Sequence, residues 1–145
     1  MKNKLLPLVL FFILSFISKV LIAQTWVQKS DFAGIARYSP SYFSVGDKGY
    51  IGMGYTSGRN TDMWEYDPLN DNWTQMASYP GLGRNASACF TIGNMGFVAG
   101  GGNGVNSPTE FYGFNPSINS WVLKSPFNMI FPPQDCFGFS IETNG

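Results

Sequence analysis

Phe43-Ser44-Val45-Gly46-Asp47-Lys48-Gly49-Tyr50-Ile51-Gly52-Met53-Gly54 returns 47 residues later as Phe90-Thr91-Ile92-Gly93-Asn94-Met95-Gly96-Phe97-Val98-Ala99-Gly100-Gly101. The flanks repeat with it. Trp26, Trp73 and Trp121 stand 47 and 48 residues apart, and Arg37 and Arg84 follow the first two at the same offset. A fainter echo after Trp121 is Phe139-Ser140-Ile141, with Gly145 where Gly49 and Gly96 fell. Self-similarity at a fixed period near 50 marks one supersecondary unit copied in tandem.

Each unit holds four apolar runs too short for helices. In the first unit they are Tyr42–Gly46, Gly49–Gly54, Met63–Asp67 and Trp73–Ala77. Aromatic and β-branched residues fill them, and Gly, Asn, Asp and Pro separate them, which is strand and turn chemistry. Residues 24–145 show no sustained period of 3.6, so the expected class is all-β. Gly46-Asp47-Lys48 and Gly93-Asn94-Met95 are hairpin links, because such residues tolerate positive φ. Asp67-Pro68 and Asn115-Pro116 open a second hairpin, identical in spacing: Trp64 to Trp73 is nine residues, as is Tyr112 to Trp121. Proline presets φ in such a turn while Asp or Asn bonds the backbone.

The second run is apolar on consecutive residues (Tyr50-Ile51, Phe97-Val98), so both faces of that strand need cover. Four antiparallel strands per unit, stacked face to face, make a β-propeller blade. Aromatic-Asp/Asn-Pro, nine residues to Trp, Arg eleven later and a Gly-rich strand end resemble the kelch repeat, especially that of secreted bacterial kelch proteins. The diglycine is clear at Gly100-Gly101 and weakened to Gly52-Met53-Gly54 in the first copy. The match covers repeats at about 26–72, 73–120 and 121–145. The chain has no histidine and no Trp-Asp pair, which sets the WD-repeat propeller aside. The resemblance implies that Trp26–Lys29 is an outer strand closing the ring with strands beyond Gly145. A chain stopping at Asn144-Gly145, inside a hairpin, reads as a fragment of a longer protein. Two blades leave exposed faces, so residues 24–145 alone are expected to be molten or aggregated.

Residues 1–23 read as a cleaved signal peptide: Lys2 and Lys4, an apolar run from Leu5 to Ile17, and the small Ala23 before Gln24. A secreted or periplasmic location follows, with no membrane attachment after cleavage. The formal charge of zero hides an asymmetry, because Lys2, Lys4 and Lys19 fall in that segment. The remainder has six basic against nine acidic residues, a net of −3. That balance offers no basic stripe for nucleic acid.

The absence of histidine removes the usual base near neutral pH and the commonest metal ligand. No cofactor or metal is expected, and galactose oxidase, a copper enzyme on a kelch-type propeller, finds no matching ligand set here. Gly100-Gly101-Gly102-Asn103-Gly104 lacks the Lys-Ser/Thr and helix of a phosphate loop. Asp62, Glu65, Asp67 and Asp71 share one hairpin without a calcium-loop spacing. Cys89 and Cys136 can form a bridge in an exported chain or remain small buried thiols.

Arg37 and Arg84 are the leading functional candidates. In kelch propellers their loops gather around the central opening, so repeated arginines there imply a cationic ring for carboxylates or other anions. The alternative is that each bonds loop carbonyls and locks the scaffold. The third copy carries Pro132 or Pro133 at this place. Tyr38, Tyr55 and Tyr79 are candidate ring-stacking residues for a sugar. Three functions stay open: a secreted recognition module for a protein or glycan; an exported carbohydrate enzyme resembling the kelch-type sialic acid mutarotases or copper oxidases, with its active-site residues in further blades; and a structural domain presenting an appended module.

Overall fold

The computed structural model describes residues 25–105, 109–125 and 137–140. Residues 1–23, which read as a signal peptide, lie outside them, as do Pro132, Pro133, Cys136, Ile141 and Gly145.

Eight five-residue strands form two antiparallel sheets of four in plain chain order. The first sheet is β1 (Ser41–Val45), β2 (Lys48–Gly52), β3 (Met63–Asp67) and β4 (Asn72–Met76). The second is β5 (Ala88–Ile92), β6 (Met95–Ala99), β7 (Phe111–Asn115) and β8 (Ser120–Lys124). The inner hairpins close on the pairs Val45↔Lys48 and Ile92↔Met95, so their links are two residues long and Lys48 and Met95 belong to strands. Gly46 at φ 58° and Gly93 at φ 55° make the reversal.

The outer hairpins behave as their Pro-bearing turns require. Asp67 Oδ1 accepts from the Leu69 and Asn70 amides at 2.9 and 3.3 Å. Asn115 Oδ1 accepts from the Ser117 amide at 3.1 Å and caps a 3₁₀ turn at Pro116–Ile118. Asp71 and Asn119, one period apart, both sit left-handed at φ 50° and 46°. The tryptophan that opens each outer strand ties back to its own linker: Trp73 Nε1 donates to Ser30 O at 3.3 Å and Trp121 Nε1 to Ala77 O at 2.8 Å. Trp26 is fully exposed, and residues 26–29 pair with no strand among the described residues.

Strand alternation gives each sheet two faces. Phe43, Tyr50, Met53 and Met63 of the first sheet meet Val98 and Phe114 of the second, with Tyr79 of the linker filling the outer edge. Aromatic rings carry the contact: Phe43 stacks on Tyr50 with centroids 5.3 Å apart, and Tyr50 meets Phe114 edge-on at 5.8 Å. Burying each such side chain contributes roughly 1.5–3 kcal/mol. The weakened diglycine has a visible consequence. Met53 takes the left-handed conformation (φ 53°) that Gly100 takes at φ 63°. The glycine after it remains in both copies because a Cβ at Gly54 would lie 2.9 Å from Tyr38 O, and one at Gly101 would lie 2.4 Å from Ser87 Oγ.

Candidate functional site

The segments that enter β1 and β5 share one end of the stack with the segments that leave β2 and β6. Backbone bridges join them in each blade. Tyr38 and Tyr55 exchange amide–carbonyl bonds of 3.2 and 3.0 Å, and Asn85 and Gly102 do the same at 3.1 and 3.0 Å, one period later. The bridges fix the side chains that stand on them.

The repeated arginines are placed inside this end. Arg37 donates to Met53 O at 2.8 Å and binds both carboxylate oxygens of Asp62, at 2.5 and 2.7 Å, with its side chain 3% exposed. Arg84 is wholly buried; it donates to Gly100 O at 3.0 Å and to Glu110 Oε2 at 2.7 Å. Met53 and Gly100 are equivalent residues, so the two arginines play the same part. Each ties its blade's entering loop to the carbonyl at the end of the second strand and to an acid before the third. Neither presents a guanidinium to solvent, and the geometry is that of an internal lock. Burial raises the Asp62 carboxyl, but the Arg37 and Trp64 hydrogen bonds outweigh it and hold the group below the usual carboxylate range.

The lock is acid-sensitive. A carboxyl whose pKa is lower in the folded chain stabilises most above its unfolded value, about 3.9, and loses that contribution as pH falls through the folded value. Asp62→Asn is therefore expected to be less stable than wild type at pH 7, with a smaller further loss at pH 3. Urea unfolding of the intact protein at both pH values measures the two differences; equal acid losses would remove Asp62 from the account.

The candidate tyrosines separate. Tyr79 is 2% exposed, edge-on to Tyr112 and Trp121 at 5.0 and 5.3 Å, and the Arg84 guanidinium lies 4.5 Å from its ring centre. It is core, and burial pushes its hydroxyl's pKa strongly upward. Tyr38 and Tyr55 come together at the surface, their rings 5.1 Å apart and tilted by 31°, with Tyr38 60% exposed.

Beside this pair stands Arg59, an exposed residue that the periodicity did not single out. Its guanidinium carbon lies 5.5 Å from the Tyr55 ring centre, and its Nε donates to Asn85 Oδ1 at 2.9 Å and Gly102 O at 3.0 Å. One side chain thus joins the loop end of the first blade to that of the second. Attention to repeated residues missed it. The signal that was available is a lone arginine in a Thr-Ser-Gly-Arg-Asn loop.

The acidic hairpin residues are engaged separately: Glu65 by Lys48 and Tyr50, Asp67 by its turn, Asp71 by Ser30 and Tyr66. Among the described residues no group of three or more acids and thiols could hold a metal. Cys89 is half-buried and forms no disulfide there; burial pushes its thiol up to about 11.

No family model matches the chain, and no curated protein does. Among solved structures, that of YjhT is similar, with a TM-score of 0.58 and 26% sequence identity over 68% of this chain. The match covers 30% of YjhT, so the chain spans under a third of that protein's length. Two four-stranded antiparallel sheets stacked in tandem, with a β-propeller as structural neighbour, make this an all-β fold of the propeller type.

Proposed function

We propose that the protein is a secreted kelch-type propeller module that recognises a glycan or a protein through the loop end around Tyr38, Tyr55 and Arg59. The observation that supports it is the exposed Tyr38 ring, backed by Tyr55 and flanked by a guanidinium that bridges two blades. An exposed aromatic face stacks on the apolar face of a sugar ring or side chain, and the guanidinium and the Asn85 amide supply polar contacts at its rim. A binding surface held by two backbone bridges loses little freedom on engagement.

A glycan-array screen of the intact protein, followed by titration of any retained ligand, tests this reading. Tyr38→Ala and Tyr55→Ala are each expected to weaken binding by about tenfold or more, the range of a central aromatic contact. Undiminished binding by Tyr38→Ala would move the site elsewhere.

The likeness to YjhT favours a second reading, an exported carbohydrate-active propeller enzyme of the sialic acid mutarotase type. That reading places its acid–base residues in blades beyond these 145 residues, which themselves carry no histidine. Anomer interconversion followed by proton NMR separates it from pure recognition.

A further inference from the structure

Beyond the Asn85–Gly102 bridge the chain runs on as Asn103-Gly104-Val105, between β6 and β7, with Val105 85% exposed. The Val105 amide donates to Asn103 Oδ1 at 2.9 Å. The ring that this bond closes contains both the Asn103 Cγ and the Gly104 nitrogen, so the side chain is folded back along the peptide that follows it. Gly104 has no Cβ to hinder approach to its nitrogen, and its N–H donates to nothing among the described residues. A backbone nitrogen held beside an amide carbon suits intramolecular attack. The Val105 N–H already stands at the oxygen where negative charge collects during that attack.

Three other asparagines each lack one part of this arrangement. Asn115 Oδ1 accepts from the Ser117 amide at 3.1 Å in the same manner, but Pro116 follows it and has no N–H. Asn119 precedes the small Ser120, but its Oδ1 is held by the distant Ala77 amide at 2.7 Å. Asn85 precedes Ala86, whose N–H is bonded to Ser39 O at 3.1 Å.

Arg59 lies alongside. Its Nε donates to Gly102 O at 3.0 Å, and its Nη1 would be 2.5 Å from a Cβ at Gly104, so the guanidinium spans the backbone on either side of residue 103. Arg37 and Arg84 are paired with Asp62 and Glu110, whereas Arg59 has no acid partner among the described residues.

We propose that Asn103 is a self-modifying site, converted through attack by the Gly104 nitrogen to aspartate or isoaspartate, whose carboxylate pairs with Arg59. The Gly104 N–H gives its proton to hydroxide, and the nitrogen bonds to Asn103 Cγ. The Cγ–Nδ2 bond breaks, and the amide nitrogen takes a proton from water and leaves as ammonia. Water then opens the five-membered imide by breaking one of its two bonds to the Gly104 nitrogen. Opening at the side-chain carbonyl gives aspartate; opening at the main-chain carbonyl gives isoaspartate. The product adds one negative charge to the loop end and neutralises the guanidinium beside Tyr55, whether or not a ligand binds there.

Incubation of the intact protein at mildly alkaline pH, with samples digested by pepsin in acid and mapped by mass spectrometry, tests the chemistry. Asn103 is expected to change by the mass difference between an oxygen and an NH group, divided between aspartate and isoaspartate, with Asn85, Asn115 and Asn119 unchanged. Conversion is expected to be at least as fast in the folded protein as in the same protein unfolded in urea, because the fold holds the reacting atoms together. An effect of the Asn-Gly pair alone is slowed by a folded backbone. Isotope-edited NMR tests the pairing. The carboxyl introduced by Asn103→Asp is expected to titrate below the ordinary aspartate value of about 3.9, and adding Arg59→Gln is expected to return it towards that value. An Asn103 that persists, conversion that is slower in the folded protein, or a carboxyl whose titration ignores Arg59 overturns the proposal.

Discussion

Arg84→Ala is expected to lower the stability of the intact protein by about 3 kcal/mol, the lower part of the range for breaking a buried ion pair. Arg84 has no exposed surface, whereas Glu110 is 46% exposed and can be rehydrated once its partner is gone. The loss therefore comes less from a stranded carboxylate than from three other sources. The Gly100 carbonyl loses its donor, the Tyr79 ring loses the cation on its face, and a large side chain leaves a void between loop and sheet. Arg84→Met keeps much of the volume and removes the hydrogen bonds, so it is expected to fall between wild type and alanine. Urea denaturation of the three proteins gives the order. An alanine variant within about 0.5 kcal/mol of wild type, the range of ordinary surface changes, would show that the guanidinium is not structural.

Gly96→Val and Gly49→Val, the same change one period apart, are expected to differ by about 3 kcal/mol, the upper part of the usual overpacking range. At Gly96 the new side chain meets the Phe43 ring, trapped between the sheets with Tyr50 and Phe114 around it. At Gly49 the Cβ meets nothing within 4 Å among the described residues, and valine favours a strand position with room for it. Gly49→Val should match wild type closely. Adding Phe43→Ala to Gly96→Val is expected to recover part of the loss, because the valine then occupies volume the ring has left. Equal effects at the two glycines would mean that the sheets do not pack through Phe43.

Much of this fold is legible in the chain because its information is local. Five-residue strands follow from short aromatic and β-branched runs, and their hairpins from Gly46, Gly93, Asp67-Pro68 and Asn115-Pro116. The period then says that one sheet is copied, and consecutive apolar residues at Tyr50-Ile51 and Phe97-Val98 say that it is covered on both faces. Strand ends differ from the apolar runs by one or two residues, because ladder pairing with the neighbour decides where a strand stops. Lys48 and Met95 read as link residues and stand in strands for that reason.

The candidate site was legible only in outline. Repetition drew attention to Arg37 and Arg84, and repetition marks what every blade needs, here a lock between entering loop and sheet. Tyr79 and Tyr38 both read as loop aromatics, yet one is core and the other surface. Tyr79 meets a sheet on either side, whereas Tyr38 stands on a bridge at the stack's end. Arg59 gains meaning from Asn85 and Gly102, 26 and 43 residues away.

The sequence alone determined the repeating strand-and-turn unit, because backbone preferences and side-chain alternation act over a few residues. The tertiary structure alone decided which arginines are buried, which tyrosines meet at the surface, and which of two equivalent glycines lies under an aromatic ring. Each of those depends on what a distant element places against the residue.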